Sequence, residues 1–63
     1  MTTLLPKLKQ KRIEKGLTQQ KLADLTGIKH QSISNYETGE QFPRRKALEK
    51  LAEALECSIS ELI

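Results

Sequence analysis

Tryptophan is absent from this 63-residue chain, and Tyr36 and Phe42 are its only aromatic residues. Sheets draw heavily on aromatic and β-branched side chains, so a sandwich or barrel is not the expected architecture. Cys57 is the single cysteine. No internal disulfide can form, which removes the cross-linked scaffold on which many small secreted domains depend. No apolar run approaches the ~20 residues that a membrane-spanning helix needs. The opening MTTLLPKLKQKR lacks the apolar segment of a signal peptide. The chain shows no internal repeat, low-complexity tract or linker. A soluble, cytoplasmic, single-domain protein is expected, with no membrane association.

Catalytic chemistry is equally thin. An enzyme of this length needs a nucleophile with its base, a carboxylate pair in a cleft, or a metal cluster. The chain offers one histidine, His30, and one cysteine far from it in sequence. Cys57 reads as a small hydrophobe packed before the C-terminal segment. No cofactor, metal or small-molecule ligand is suggested, and the expectation is a protein that is not an enzyme.

What remains is a short, charged chain with an aliphatic core. A domain of this size buries only roughly 60% of its unfolded surface, so the core must be small and well packed. Hydrophobic residues make up 37% and are mostly Leu, Ile and Ala, which suits short helices. Eleven Lys and Arg stand against eight Asp and Glu, a net charge of +3 that favours anionic partners without identifying one.

Five helices account for nearly all residues. Pro6 suits a first helical position, and Leu8, Arg12 and Ile13 mark a stripe ending at Gly16, which predicts helix one over residues 6–15. Leu17 follows the glycine and can fold back onto that stripe. Thr18 is a good N-cap for QQKLADLT, whose Leu22, Ala23 and Leu25 share a face. Gly27 breaks the chain, and a third helix follows until Gly39. Pro43 restarts the helix, and Leu48, Leu51, Ala52 and Leu55 recur at i, i+3, i+4 and i+7. Ser58 with Glu61 forms a capping-box pattern, and Ile59, Leu62 and Ile63 supply the apolar contacts of a short last helix.

The third helix, within GIKHQSISNYETG, is unusually polar. With Ile33 at the centre of its buried side and about 100° per residue, Tyr36 and Glu37 fall within a quadrant of that side. Gln31 and Asn35 then lie nearly opposite, with Thr38 beside them and Ser32 and Ser34 on the flanks. Lys29 and His30 project from the first turn. A merely solvated face would favour Glu and Lys, whereas Gln, Asn and Ser are mediocre helix formers. Gln and Asn carry a donor and an acceptor that match the major-groove edge of adenine, and Ser or Thr serves several bases or a phosphate. The polar face suits the reading of base edges.

At this point GLTQQKLADLTGIKHQSISNYETGEQFP resembles the helix-turn-helix of the phage-repressor-like XRE family. The resemblance extends from Arg12 through the Gly16-Leu17-Thr18-Gln19 turn, the Leu22-Ala23 pair, Gly27, Ile33-Ser34 and Glu37-Thr38-Gly39 to Pro43 and the closing LEKLAEALECSISEL. It implies that residues 1–63 form one compact, all-α, five-helix, lambda-repressor-like domain that binds double-stranded DNA. Helix three would lie in the major groove and helix two across the backbone. The implied base-contacting residues are His30, Gln31, Ser34 and Asn35. Implied backbone contacts are Gln19, Lys29, Ser32, Thr38, Arg12, Arg44 and Arg45, with Lys46 beside them. Gln19 would position rather than specify, and Arg12 would pair with Glu37. Relatives bind as dimers to pseudo-palindromic sites, so a homodimeric transcriptional repressor is implied, bacterial or phage-encoded. Ile59, Leu62 and Ile63 would supply the dimer contact or else pack inside their own domain. A chain of this length suits either a whole small regulator or the DNA-binding part of a longer one.

Three residues depart from the family pattern. Arg45 replaces a usually apolar residue at the start of helix four. Glu56 stands where a helix-ending glycine is common, and a positive φ there strains any other residue. Lys29 replaces the usual Ser or Thr cap of helix three. The rival reading of the same scaffold is a protein-interaction module or antitoxin-like inhibitor, which fold alone does not exclude.

Overall fold

A computed structural model of the chain describes residues 7–62. Four α-helices follow one another, α1 (Leu8–Glu14), α2 (Gln19–Thr26), α3 (His30–Thr38) and α4 (Arg45–Ala54), and a three-residue 3-10 turn follows at Ile59–Glu61. The expected start of helix one at Pro6 lies outside the described residues. No strand occurs among them.

Each junction is closed by local hydrogen bonding that the sequence dictates. Gly16 takes φ 70°, which lets Leu17 N donate to Arg12 O at 3.1 Å and Gly16 N to Ile13 O at 2.9 Å. That pair of bonds is a Schellman cap, and it ends α1. Thr18 accepts from Lys21 N at 3.0 Å and starts α2. Gly27, at φ 73°, turns the chain into α3 and donates to Ala23 O at 2.8 Å. Lys29 makes no side-chain cap, as its replacement of Ser or Thr implied.

The core draws on every helix: Leu8 from α1, Leu22 and Ala23 from α2, Ile33 from α3, Leu51 and Ala52 from α4, then Leu55 and Leu62. The α4 stripe runs as its spacing predicted, with Leu48 only partly covered. Two stripe residues are not in the core. Ile13 is 58% exposed, because the buried face of α1 centres on Leu8 and Arg12 and Ile13 lies about 100° beyond Arg12. Leu25 is 55% exposed, and Thr26 takes its place inside. The Thr26 hydroxyl donates to Leu22 O at 2.8 Å and accepts from Ile28 N at 3.2 Å, so its burial is fully compensated.

The expected fifth helix is a single tight turn. Ser58 and Glu61 do form the capping box, but Glu61 N bonds Ser58 O at 3.0 Å and Leu62 N bonds Ile59 O at 2.9 Å. These are i→i+3 closures, too few to offset the nucleation cost of an α-helix. Leu62 is wholly buried in its own domain and offers no surface to a second copy. Ile59 packs against the same core, and Ile63 lies outside the described residues. Helix four begins at Arg45 rather than at Pro43, because Pro43 is spent as a buried plug in the extended connection.

Glu56 has φ 54°, the left-handed geometry that its glycine-like position implied. Cys57 N donates to Ala52 O at 3.0 Å and Glu56 N to Glu53 O at 3.2 Å, a second Schellman cap. The exposed Glu56 carboxylate meets Lys15 Nζ at 2.5 Å and so joins the turn after α4 to the turn after α1. The hydrogen bond from Lys15, then its charge, hold the Glu56 carboxyl below the usual range. Cys57 packs against the core, and burial pushes its thiol up.

Among the described residues, one ion pair is buried. Arg12 Nε donates to Glu37 Oε2 at 2.7 Å and Nη2 to Oε1 at 3.2 Å, while Nη1 donates to Leu17 O at 2.7 Å. The two side chains are 10% and 4% exposed. Arg12 thus grips Leu17 twice, with its carbonyl on the amide and its guanidinium on the oxygen.

Two outcomes follow for unfolding experiments. Removing one member of a buried pair strands the other, so Glu37→Ala is expected to cost about 3 kcal/mol in urea denaturation. The double variant Arg12→Met with Glu37→Leu should recover much of that; a single-variant loss under about 1 kcal/mol shows that the pair is well solvated. Glu56→Gly relieves left-handed strain and gives up only an exposed ion pair, so Tm should rise by a few degrees. The Lys15 pair lowers the folded-state pKa of Glu56, so its small contribution is present at neutral pH and lost as pH falls through that pKa. The gain from Glu56→Gly should therefore grow on acidification, and a lower Tm at neutral pH contradicts the strain argument.

Candidate nucleic-acid interface

Helices α2 and α3 meet through Gly27, and their packing is fixed from below by Glu37. Its Oε1 accepts from Arg12 and also from Gln19 Nε2 at 2.9 Å. Gln19 in turn places its Oε1 3.0 Å from His30 Nε2. Four side chains from three helices thus run from the buried Arg12 to the exposed His30 at the first turn of α3. Gln19 braces the helix, as the family resemblance implied, while remaining half-exposed itself.

On the opposite side of α3 a second series of amides lies at the surface. Gln31 Nε2 donates to Asn35 Oδ1 at 3.1 Å, and Asn35 Nδ2 donates to Gln41 Oε1 at 2.9 Å. Gln41 was not among the residues that the sequence pointed to. It reaches Asn35 because the chain after Gly39 wraps the helix end: the amides of Gly39, Glu40 and Gln41 all point to Asn35 O, at 3.0, 2.9 and 3.3 Å. The only sequence signal was a polar residue two positions after the helix-ending glycine.

The remaining candidates fall as follows. His30, Gln31 and Thr38 are exposed, and Ser32, Ser34 and Asn35 are half-buried. Thr38 Oγ1 donates to Asn35 O at 3.2 Å. Lys29, Arg44, Arg45 and Lys46 are all exposed. Arg45 pairs with Glu49 at 3.3 Å, so part of its charge is balanced on its own helix. Its replacement of an apolar residue is explained by exposure: the first turn of α4 faces solvent here. Arg12 does not join this surface. Each of its three nitrogens makes one hydrogen bond inside the protein, and its side chain is only 10% exposed.

Chemically, this arrangement combines a rigid base with adaptable hydrogen-bonding ends. Exposed cations flank it on both sides of α3 in sequence, and no described helix is long and apolar enough to cross a membrane. Among the described residues, no group of three or more His, Cys, Asp or Glu is arranged to hold a metal ion.

A helix-turn-helix family model matches residues 8–62. Among curated relatives, the SPbeta prophage-derived uncharacterized HTH-type transcriptional regulator YonR of Bacillus subtilis is 40% identical over 57 residues, 90% of this chain and 53% of its own length. The cryptic phage CTXphi transcriptional repressor RstR of Vibrio cholerae is 49% identical over 45 residues, 71% of this chain and 40% of its own. The chain therefore spans about half or less of these relatives. Among solved structures, the restriction-modification controller protein C.AhdI from Aeromonas hydrophila superposes with a TM-score of 0.86 at 33% identity, covering 90% of this chain and 86% of that one. A chain of the SinR–SinI protein complex gives 0.88 at 31% identity, covering 95% and 60%. With four α-helices among its described residues, a glycine turn and a braced third helix, the chain belongs to the XRE-type helix-turn-helix family, whose matched members include prophage and phage transcriptional regulators and repressors.

Proposed function

We propose that this chain binds double-stranded DNA in a sequence-specific manner and acts as a transcriptional repressor, with α3 in the major groove and two copies on a pseudo-palindromic site. One observation carries the reading: α3 is anchored to the protein through Ile33 and Glu37, while the exposed Gln31 and half-buried Asn35 hold their amides on its other side. A protein with so small a core gains no stability from that row; its donor and acceptor pairs suit base edges. His30, Gln31, Ser34 and Asn35 contact bases in this reading. Gln19, Lys29, Ser32, Thr38 and Arg44 hold phosphates and set register, and Arg45 contributes what Glu49 leaves unbalanced. Half-sites one helical turn apart bring two recognition helices to successive major grooves on one side of the duplex. The relatives named as repressors support the direction of regulation.

Affinity for duplex DNA measured across a salt series tests the class of function. A log–log slope of about −0.9 for each phosphate contacted is expected, and Arg44→Ala should reduce the slope by about 1 without changing sequence preference. An interaction module on this scaffold gives little duplex binding and no slope. Specificity is tested by Gln31→Ala and Asn35→Ala. Each is expected to weaken binding to sites selected from a random duplex pool by about 1–3 kcal/mol, with folding intact. If both variants keep the native preference for selected over random DNA, the amide row does not read bases.

A further inference from the structure

The relay from Arg12 to His30 fixes more than position. A carboxylate only accepts hydrogen bonds, so Gln19 must turn its Nε2 toward Glu37 Oε1, 2.9 Å away. The other end of that amide, Oε1, then faces His30 Nε2 at 3.0 Å. An amide oxygen also only accepts, so the hydrogen in this contact has to come from the ring. Reversing the Gln19 amide would set two acceptor oxygens against each other beside the buried ion pair and leave that carboxylate oxygen without a donor it now has. With Nε2 carrying hydrogen, the neutral ring keeps its lone pair at Nδ1. His30 is exposed, and Nδ1 has no hydrogen-bond partner among the described residues.

We propose that the Arg12–Glu37–Gln19 relay holds His30 as its Nε2–H tautomer, so that His30 meets DNA with an acceptor at Nδ1 and selects a base bearing an exocyclic amino group. In the major groove that means adenine through N6 or cytosine through N4. Guanine and thymine present oxygen acceptors there, which a lone pair repels. Gln19 and Glu37 are positioning residues in this scheme: they touch no base through this path but determine what His30 can read. The base preference rests on the DNA-binding reading above, whereas the tautomer belongs to the free protein.

Two measurements separate those parts. In uniformly 15N-labelled protein at about pH 8, above the range in which imidazole carries charge, the ring nitrogens of His30 should report the Nε2–H form alone. Gln19→Ala should relax them toward the tautomer mixture of free imidazole. A wild-type ring that already shows that mixture, or a ring unchanged in Gln19→Ala, overturns the relay. Selection from a random duplex pool by wild type and by His30→Ala then locates the position at which preference depends on His30. Adenine or cytosine is expected on the contacted strand. Replacing it by purine or 2-pyrimidinone, which lack the amino group, should weaken wild-type binding about tenfold and leave His30→Ala unaffected. Guanine or thymine at that position overturns the base preference. If no duplex is selected at all, the DNA-binding reading fails and the base preference with it, while the ring measurement still decides the relay.

Discussion

A guanidinium and a carboxylate, 2.7 Å apart and almost fully removed from water, hold α1 against α3. Such a pair costs desolvation on both sides, which further hydrogen bonds to its remaining donors and acceptors help to return. Here another N–H of Arg12 goes to Leu17 O, and Glu37 accepts a further bond from Gln19. The same few bonds therefore close the turn after α1, seat the start of α2 and set the rotation of α3 about its own axis. An apolar contact at this place would pack the helices as well but would not specify that rotation.

Because the rotation is specified, the far side of α3 is free for polar groups. Ile33 and Glu37 look inward four residues apart, so Gln31 and Asn35 must look away. The Gly39 turn then folds Gln41 back onto Asn35 and orders a side chain that would otherwise be one of many loosely held surface rotamers. Ordering before contact reduces the side-chain entropy that binding must spend, which is how preorganised surfaces gain affinity without new contacts. The cations at Lys29, Arg44 and Lys46 stay exposed, which on the proposed reading suits groups that meet a uniform phosphate charge rather than a particular atom.

The domain accepts local strain in return for connections between distant turns. Glu56 occupies left-handed backbone where glycine costs less, and its carboxylate reaches Lys15 across 41 positions of sequence. Thr26 is buried where a leucine sits exposed one residue earlier, because its hydroxyl closes the turn into α3 as no aliphatic group does. With eight buried hydrophobic residues in the core cluster of the described residues, such polar closures are a large share of what distinguishes this fold from other packings of the same helices.

Much of this was legible in the sequence because it depends on neighbours within one turn. The glycines at 16, 27 and 39, the Thr18 cap and the α4 stripe follow from backbone sterics and helical period alone, and so does the polarity of the α3 face. The Arg12–Glu37 pair was legible through family resemblance, since no local rule joins residues 25 positions apart. Tertiary packing decided the rest. It turned Ile13 and Leu25 outward, drew Leu62 into the core, reduced the expected fifth helix to a 3-10 turn, enclosed Arg12 and brought Gln41 to Asn35. These outcomes depend on which faces meet and how much space remains between them. A pattern of apolar and polar letters names the faces available to a helix, but only the neighbouring helices determine which part of each face is covered.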